Sequence, residues 1–137
     1  MTRTEQAGLP FQLDLHSGVP VYRQIMDQVL AAIASGRFAT GDQLPTVRQL
    51  AVDLSINPNT VIRAYRELEI RGFLDTHQGS GTFIAAQRVE PDDAERRRKL
   101  DAIVTDAIAR AGAEGFTAKQ VQDRLKDLLD EEKTRRG

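Results

Sequence analysis

Apolar residues recur at helical spacing in five stretches of the chain, and between the third and fourth an extended, glycine-interrupted run replaces them. Pro20 opens the first stretch, where Tyr22, Ile25, Met26, Val29, Leu30 and Ile33 form an apolar stripe that stops near Ser35-Gly36. Thr46 begins the second as an N-cap. Gln49 stands at the position from which it can reach back in a capping box, and Val47, Leu50, Ala51 and Leu54 share one face. A short turn through Ser55-Ile56 follows, and Asn57 as N-cap with Pro58 at the first helical position starts the third helix. Short helix, tight turn and longer helix give helix-turn-helix order.

Val61, Ala64, Tyr65 and Leu68 form one face of the third helix and Asn59, Thr60, Arg63 and Arg66 the opposite one. Ile62 lies between the two faces. It can pack at the edge of the core or meet a thymine methyl, and packing is the favoured reading. Arg71-Gly72 supplies a cationic last turn and a left-handed cap. Phe73-Leu74 then starts a strand, Gln78-Gly79-Ser80-Gly81 forms a flexible tip, and Thr82-Phe83-Ile84 returns as a second strand. Gly41-Asp42 is a turn signal, and Gln43-Leu44 can pair a short strand with that hairpin. The hairpin is the wing of a winged helix-turn-helix.

Beyond Ile84 the composition changes at Glu90-Pro91-Asp92-Asp93 to a charged, alanine-rich stretch. Leu100, Ile103, Val104, Ala107, Ile108 and Ala111 keep helical spacing until Gly112 and Gly115 interrupt it. Thr117 with Gln120 repeats the capping-box signature, and Val121, Leu125, Leu128 and Leu129 mark a further amphipathic helix. The expected fold is therefore mainly α with a small β wing. Residues 1–10 read as a flexible tail, 11–86 as a winged helix-turn-helix DNA-binding domain, and 87–137 as a C-terminal α-helical hairpin for dimerisation. Two such helices cover their stripes only partly by packing on each other, and a second copy would bury the surplus.

The outward face of the third helix has the chemistry of base reading. Asn pairs bidentately with adenine, Arg with guanine, and a Thr methyl can meet a thymine methyl. A solvated helix face is the bland alternative for Arg63 and Arg66. Periodicity alone leaves the solvated reading ahead for both, and the caps, turn and wing around them raise the weight of DNA contact. Asn57 fills a capping role in either case, so Asn59 is the better base-contact candidate. His77 and Gln78 can reach a DNA backbone or minor groove from the wing. Gly79 and Gly81 serve either the turn alone or a close approach to phosphate.

Tyr22-Arg23-Gln24-Ile25, Gly41-Asp42-Gln43-Leu44-Pro45-Thr46-Val47-Arg48 and Gln78-Gly79-Ser80-Gly81-Thr82 resemble the GntR family of bacterial transcription regulators. Asn57-Pro58-Asn59-Thr60-Val61, with Arg63-Ala64-Tyr65 and Glu67-Leu68, is similar to the recognition helix of its small YtrA-like branch. The resemblance covers residues 11–86 by motif and the remainder by length and helical character. It implies that Arg48 meets a phosphate, that Asn57, Asn59, Thr60 and Arg63 lie at the groove, and that Gln78 and Gly79 make the wing contact. With Thr46 and Arg66, these complete the candidate DNA-contacting set. Many family members carry a basic residue where this chain has Pro58, so their base preference does not transfer. The resemblance further implies repression of an operon encoding a membrane transporter and of the regulator's own gene. The partly covered stripes and two-fold symmetry point to a homodimer on an inverted-repeat operator in double-stranded DNA, and a chain without cysteine suits the cytoplasm.

Net charge, at −1 from 19 Lys plus Arg against 20 Asp plus Glu, is unusual for a DNA-binding chain. It shifts weight from bulk attraction to the placement of Arg48, Arg63, Arg66 and Arg71. The run Arg96-Arg97-Arg98-Lys99 reads as solvated or paired with Asp92, Asp93 and Glu95. Zero cysteines exclude disulfides and thiolate metal sites. No run is apolar enough to span a membrane, and no signal peptide opens the chain. With His16 and His77 as the only histidines, no His-Glu-x-x-His and no phosphate loop after a buried strand, an enzyme has little support. Asp14 with His16 reads as a surface pair in a loop. No cofactor is expected. A small-molecule effector would need walls that the tail supplies only in a dimer. The alternative is a winged-helix protein-interaction module, against which the outward Asn, Thr and Arg face argues.

Overall fold

The computed structural model describes residues 11–87 and 90–136 in two compact units that divide at Gln87 and Arg88. The flexible tail expected over residues 1–10 lies outside the described residues. In the first unit the order is α1 (Val21–Ala34), α2 (Val47–Leu54), α3 (Pro58–Ile70), β1 (Leu74–His77) and β2 (Gly81–Ile84). In the second it is α4 (Ala94–Ala113) and α5 (Ala118–Arg136).

Each helix of the first unit starts where its local chemistry allows. Pro20 precedes α1 without a side-chain cap, and its carbonyl accepts the amides of Arg23 and Gln24. Thr46 Oγ1 accepts the Gln49 amide at 3.0 Å. The reciprocal half of the expected box is missing, because the Gln49 side chain donates to Asp53 Oδ1 at 2.7 Å, one turn along the same helix. Ser55 closes α2 in the left-handed region, at φ 56°. Asn57 Oδ1 then accepts the Asn59 amide at 2.8 Å to start α3, and Gly72 at φ 85° follows its last turn.

The core is one apolar cluster. Ile25, Met26 and Val29 of α1 meet Leu50 and Ala51 of α2 and Val61, Ala64, Tyr65 and Leu68 of α3, with Leu74 and Ile84 closing it from the wing. Phe11 and Phe38 also enter it. Within it, the Tyr65 hydroxyl donates to the Pro45 carbonyl at 2.8 Å, and burial pushes its phenol pKa up. The bond ties α3 to the residue just before the Thr46 cap.

Two glutamines hold the segment ahead of α1 in place. Gln28 accepts the Gln12 amide at 2.9 Å and donates to the Gln12 carbonyl at 2.6 Å, as a neighbouring strand would. Gln24 accepts the Asp14 amide at 2.8 Å and donates to the carbonyls of Asp14 and Val19, both at 2.9 Å. Asp14 Oδ1 accepts the His16 amide at 3.0 Å, so the Asp14-His16 pair makes a local turn.

Strands β1 and β2 pair antiparallel, with Leu74 opposite Ile84 and His77 opposite Gly81. The expected third element is present as a single bridge of Gln43 to Phe83, flanked by the Leu44 amide on the Thr82 carbonyl at 2.9 Å and the Ile84 amide on the Asp42 carbonyl at 2.8 Å.

In the second unit Asp93 Oδ1 accepts the Arg96 amide at 2.9 Å to cap α4. Gly112 is accommodated inside α4, and the break falls at Gly115, φ 88°. The capping box before α5 is complete. The Thr117 amide donates to Gln120 Oε1 at 2.9 Å, and the Gln120 amide to Thr117 Oγ1 at 3.1 Å. Arg97 pairs with Asp92 and Lys99 with Glu95, as a charge run at a helix start does. Helices α4 and α5 contact each other, yet no residue of α4 is buried. Leu100, Ile103, Val104, Ile108, Leu125, Leu128 and Leu129 stay 41% to 66% exposed.

Because the buried phenol resists ionisation, its stabilising effect is fully present below the ordinary phenol pKa of about 10 and declines as pH rises above it. Urea unfolding should therefore show wild type losing stability from pH 9 to about 11.5 more steeply than Tyr65→Phe. At pH 7 the substitution should cost about 1 kcal/mol for the lost bond to Pro45.

Candidate nucleic-acid interface

Helix α3 is buried on one side and polar on the other, so its outward face follows from its packing. Val61 and Leu68 are fully buried, whereas Asn59, Arg63 and Arg66 are exposed and Thr60 is half-buried. The Asn57 side chain is committed through its oxygen to the cap, leaving its amide nitrogen for any other partner. Thr46 is likewise committed as a cap at the start of α2, with the exposed Arg48 two residues on. Among the described residues, no hydrogen bond or ion pair engages the side chains of Arg48 or Arg66.

Two residues sit differently from expectation. Ile62 is 36% exposed and lies outside the core cluster, because it falls between the buried and outward faces of α3 and no neighbouring element covers it. Arg63 does not extend straight from α3. Its guanidinium carbon lies 3.8 Å from the ring centroid of Tyr22, at the start of α1.

The wing tip is built from tertiary contacts as well as glycines. The Ser80 amide closes the turn on the His77 carbonyl at 2.9 Å, with Gly79 at φ 83°. Gln78 and Gly79 are exposed at this tip. The Gln43 side-chain amide donates to the Ser80 carbonyl at 3.1 Å. It occupies the space a side chain would need at Gly81, where an added Cβ would lie 2.5 Å from Gln43 Nε2 and φ is 129°. Gly81 therefore serves close packing within the wing. The His77 ring lies against Phe83, centroids 5.5 Å apart, which draws it toward the sheet. Gln43 and Tyr22 thus hold side chains and backbone of this surface without having been marked as functional. The pairing of Gln43 with the hairpin was expected for its backbone, whereas its side-chain bond to Ser80, 37 residues away, gave no signal.

The exposed polar face of α3, the exposed Arg48 and the glycine-tipped wing all belong to the first unit. Residues 21–84 match the model of the bacterial regulatory proteins of the gntR family. The chain is 36% identical over 115 residues to the uncharacterized HTH-type transcriptional regulator YhcF of Bacillus subtilis, spanning 83% of this chain and 93% of that protein.

The chain belongs to the GntR family.

It is 45% identical to the HTH-type transcriptional repressor YtrA of Bacillus subtilis over 74 residues, 54% of this chain and 57% of YtrA. Among solved structures it is similar to YtrA of Sulfolobus acidocaldarius, a GntR-family transcription factor, with 34% identity and a TM-score of 0.55, covering 72% of this chain and 97% of that one. This GntR protein is therefore a DNA-binding transcription regulator and not an enzyme. Among the described residues, no helix is long and apolar enough to cross a membrane.

Gly81→Ala should lower unfolding free energy by about 1–3 kcal/mol, the range for a non-glycine residue held in a disfavoured backbone region. Gln43→Ala should cost about 1 kcal/mol alone and markedly less in the Gly81→Ala background, because the first substitution already disturbs the Ser80 bond. Denaturant titration of the four variants measures this coupling. Additive losses would separate Gln43 from the wing.

Proposed function

We propose that this GntR protein represses transcription by occupying an inverted-repeat operator as a homodimer in the cytoplasm. The observation that carries the reading is the outward face of α3, where Asn59, Thr60 and Arg63 stand exposed or half-buried on a helix whose other side is anchored in the core. Asn59 and Thr60 lie in the first turn, the part of a recognition helix that reaches base edges. Arg48, Arg66, Gln78 and Gly79, all exposed, would meet the flanking phosphates, and Asn57 and Thr46 hold the helix starts from which amides could do the same. With a net charge of −1, affinity rests on these few contacts, and the salt dependence is moderate.

Dimerisation is supported by the second unit. The stripes of α4 and α5 carry seven apolar residues at least 41% exposed, a surface too apolar to remain in water when a second copy can cover it. Two-fold pairing would place two reading heads on half-sites about one helical turn apart. The transporter operon suggested by the YtrA-like resemblance is the first place to look for the operator. Any effector would bind where the dimer adds walls to the hairpin.

Selection of genomic fragments by the purified protein at near-physiological salt, followed by sequencing, tests the reading directly. An enriched inverted repeat is the expected result. Uniform, salt-sensitive retention would favour a protein-interaction module instead. Sedimentation at micromolar concentration should give twice the chain mass, and the monomer mass would overturn the dimer.

A further inference from the structure

The Tyr22 and Arg63 pair links two elements that the proposed interface treats separately. Arg63 is exposed on the second turn of α3, and Tyr22 is half-buried at the second residue of α1. The guanidinium carbon sits 3.8 Å from the ring centroid, well inside cation–π range. Among the described residues no carboxylate or carbonyl takes the guanidinium, so its five N–H donors stay available while the ring holds its position. A side chain drawn sideways to α1 does not point along the first turn of α3, where base edges are read. In helix-turn-helix docking base edges are met by the first residues of the recognition helix, while the motif's other helix, here α2, crosses the DNA backbone.

We infer that Tyr22 is a positioning residue that holds Arg63 against α1, making Arg63 a contact to the DNA backbone and leaving base reading to Asn59 and Thr60. The inference rests on the DNA-contacting reading of this face and refines it. Holding the guanidinium before DNA arrives removes part of the ordering cost of binding, and the planar fork suits a phosphate.

The test is a double-mutant cycle in the full chain, with a mixed-sequence duplex of about 30 base pairs, roughly three helical turns, as probe. Tyr22→Leu should weaken binding about two- to fivefold, the size of an exposed cation–π contact, while Tyr22→Phe, which keeps the ring, stays within about twofold of wild type. Arg63→Ala should lower the slope of log affinity against log salt by about one. In the Arg63→Ala background, Tyr22→Leu should add nothing further.

Additive losses, or an equal loss in Tyr22→Phe, would overturn the pairing and leave DNA binding by this face intact. A penalty for Arg63→Ala confined to a selected inverted repeat, with none on mixed sequence, would restore Arg63 to base reading. Absence of any duplex binding by wild type would overturn the DNA-contacting reading together with this inference. Because Arg63 is exposed, a second measurement does not depend on how Tyr22→Leu folds. The ring-shifted NMR resonance of the Arg63 side chain should persist when duplex is added, and its return to an ordinary shift would show the stack broken and the inference wrong.

Discussion

Burial of one face of α3 is the constraint on which the first unit depends. Val61, Ala64, Tyr65 and Leu68 pack against α1, α2 and β1, so the helix cannot rotate without exposing a continuous apolar strip. Val61 and Leu68 are each worth on the order of 1.5–3 kcal/mol when buried, which makes a rotated α3 untenable. The outward face is therefore set by the inward one. The Tyr65 bond to the Pro45 carbonyl adds a directional restraint and ties the start of α2 to the helix it supports.

Around that anchor, the surface is assembled from short-range devices that fix backbone ends. Thr46 and Asn57 satisfy amides at the starts of α2 and α3, and Ser55 adopts the left-handed turn that lets the two helices meet. The wing is fixed less by its own four-residue strands than by the Asp42–Leu44 segment, whose backbone bonds and Gln43 side chain hold it at three points. A two-stranded hairpin alone would be marginal. Its orientation relative to α3 comes from Leu74 and Ile84, which are buried in the common core.

The second unit follows a different economy. Its helices are well capped and laced with pairs such as Arg110 with Asp106 and Lys119 with Asp123, yet they bury almost nothing within one chain. Exposed ion pairs of this type contribute at most about 1 kcal/mol each. Local chemistry therefore accounts for the helices, while their apolar stripes stay exposed within one chain.

Most of the fold was legible because it is governed by nearest neighbours along the chain. The caps at Thr46, Asn57 and Thr117, the proline at the first position of α3, the glycine stops and the apolar stripes all act within a few residues. The turn and the wing were readable for the same reason. Four features were not. Gln49 turned to Asp53 instead of completing its box: the side chain whose oxygen would accept the Thr46 amide lies along the helix, with its nitrogen donating to Asp53 Oδ1. Ile62 stayed outside the core, since whether a boundary residue is covered depends on which helix lies beside it. Arg63 met Tyr22, 41 residues earlier in the chain, and Gln43 met Ser80 across the wing. The sequence by itself determined the elements, their order, their inner faces and the family of regulators they form. Only the tertiary structure decided how the outer side chains are held, because those contacts join residues that periodicity and capping rules never compare.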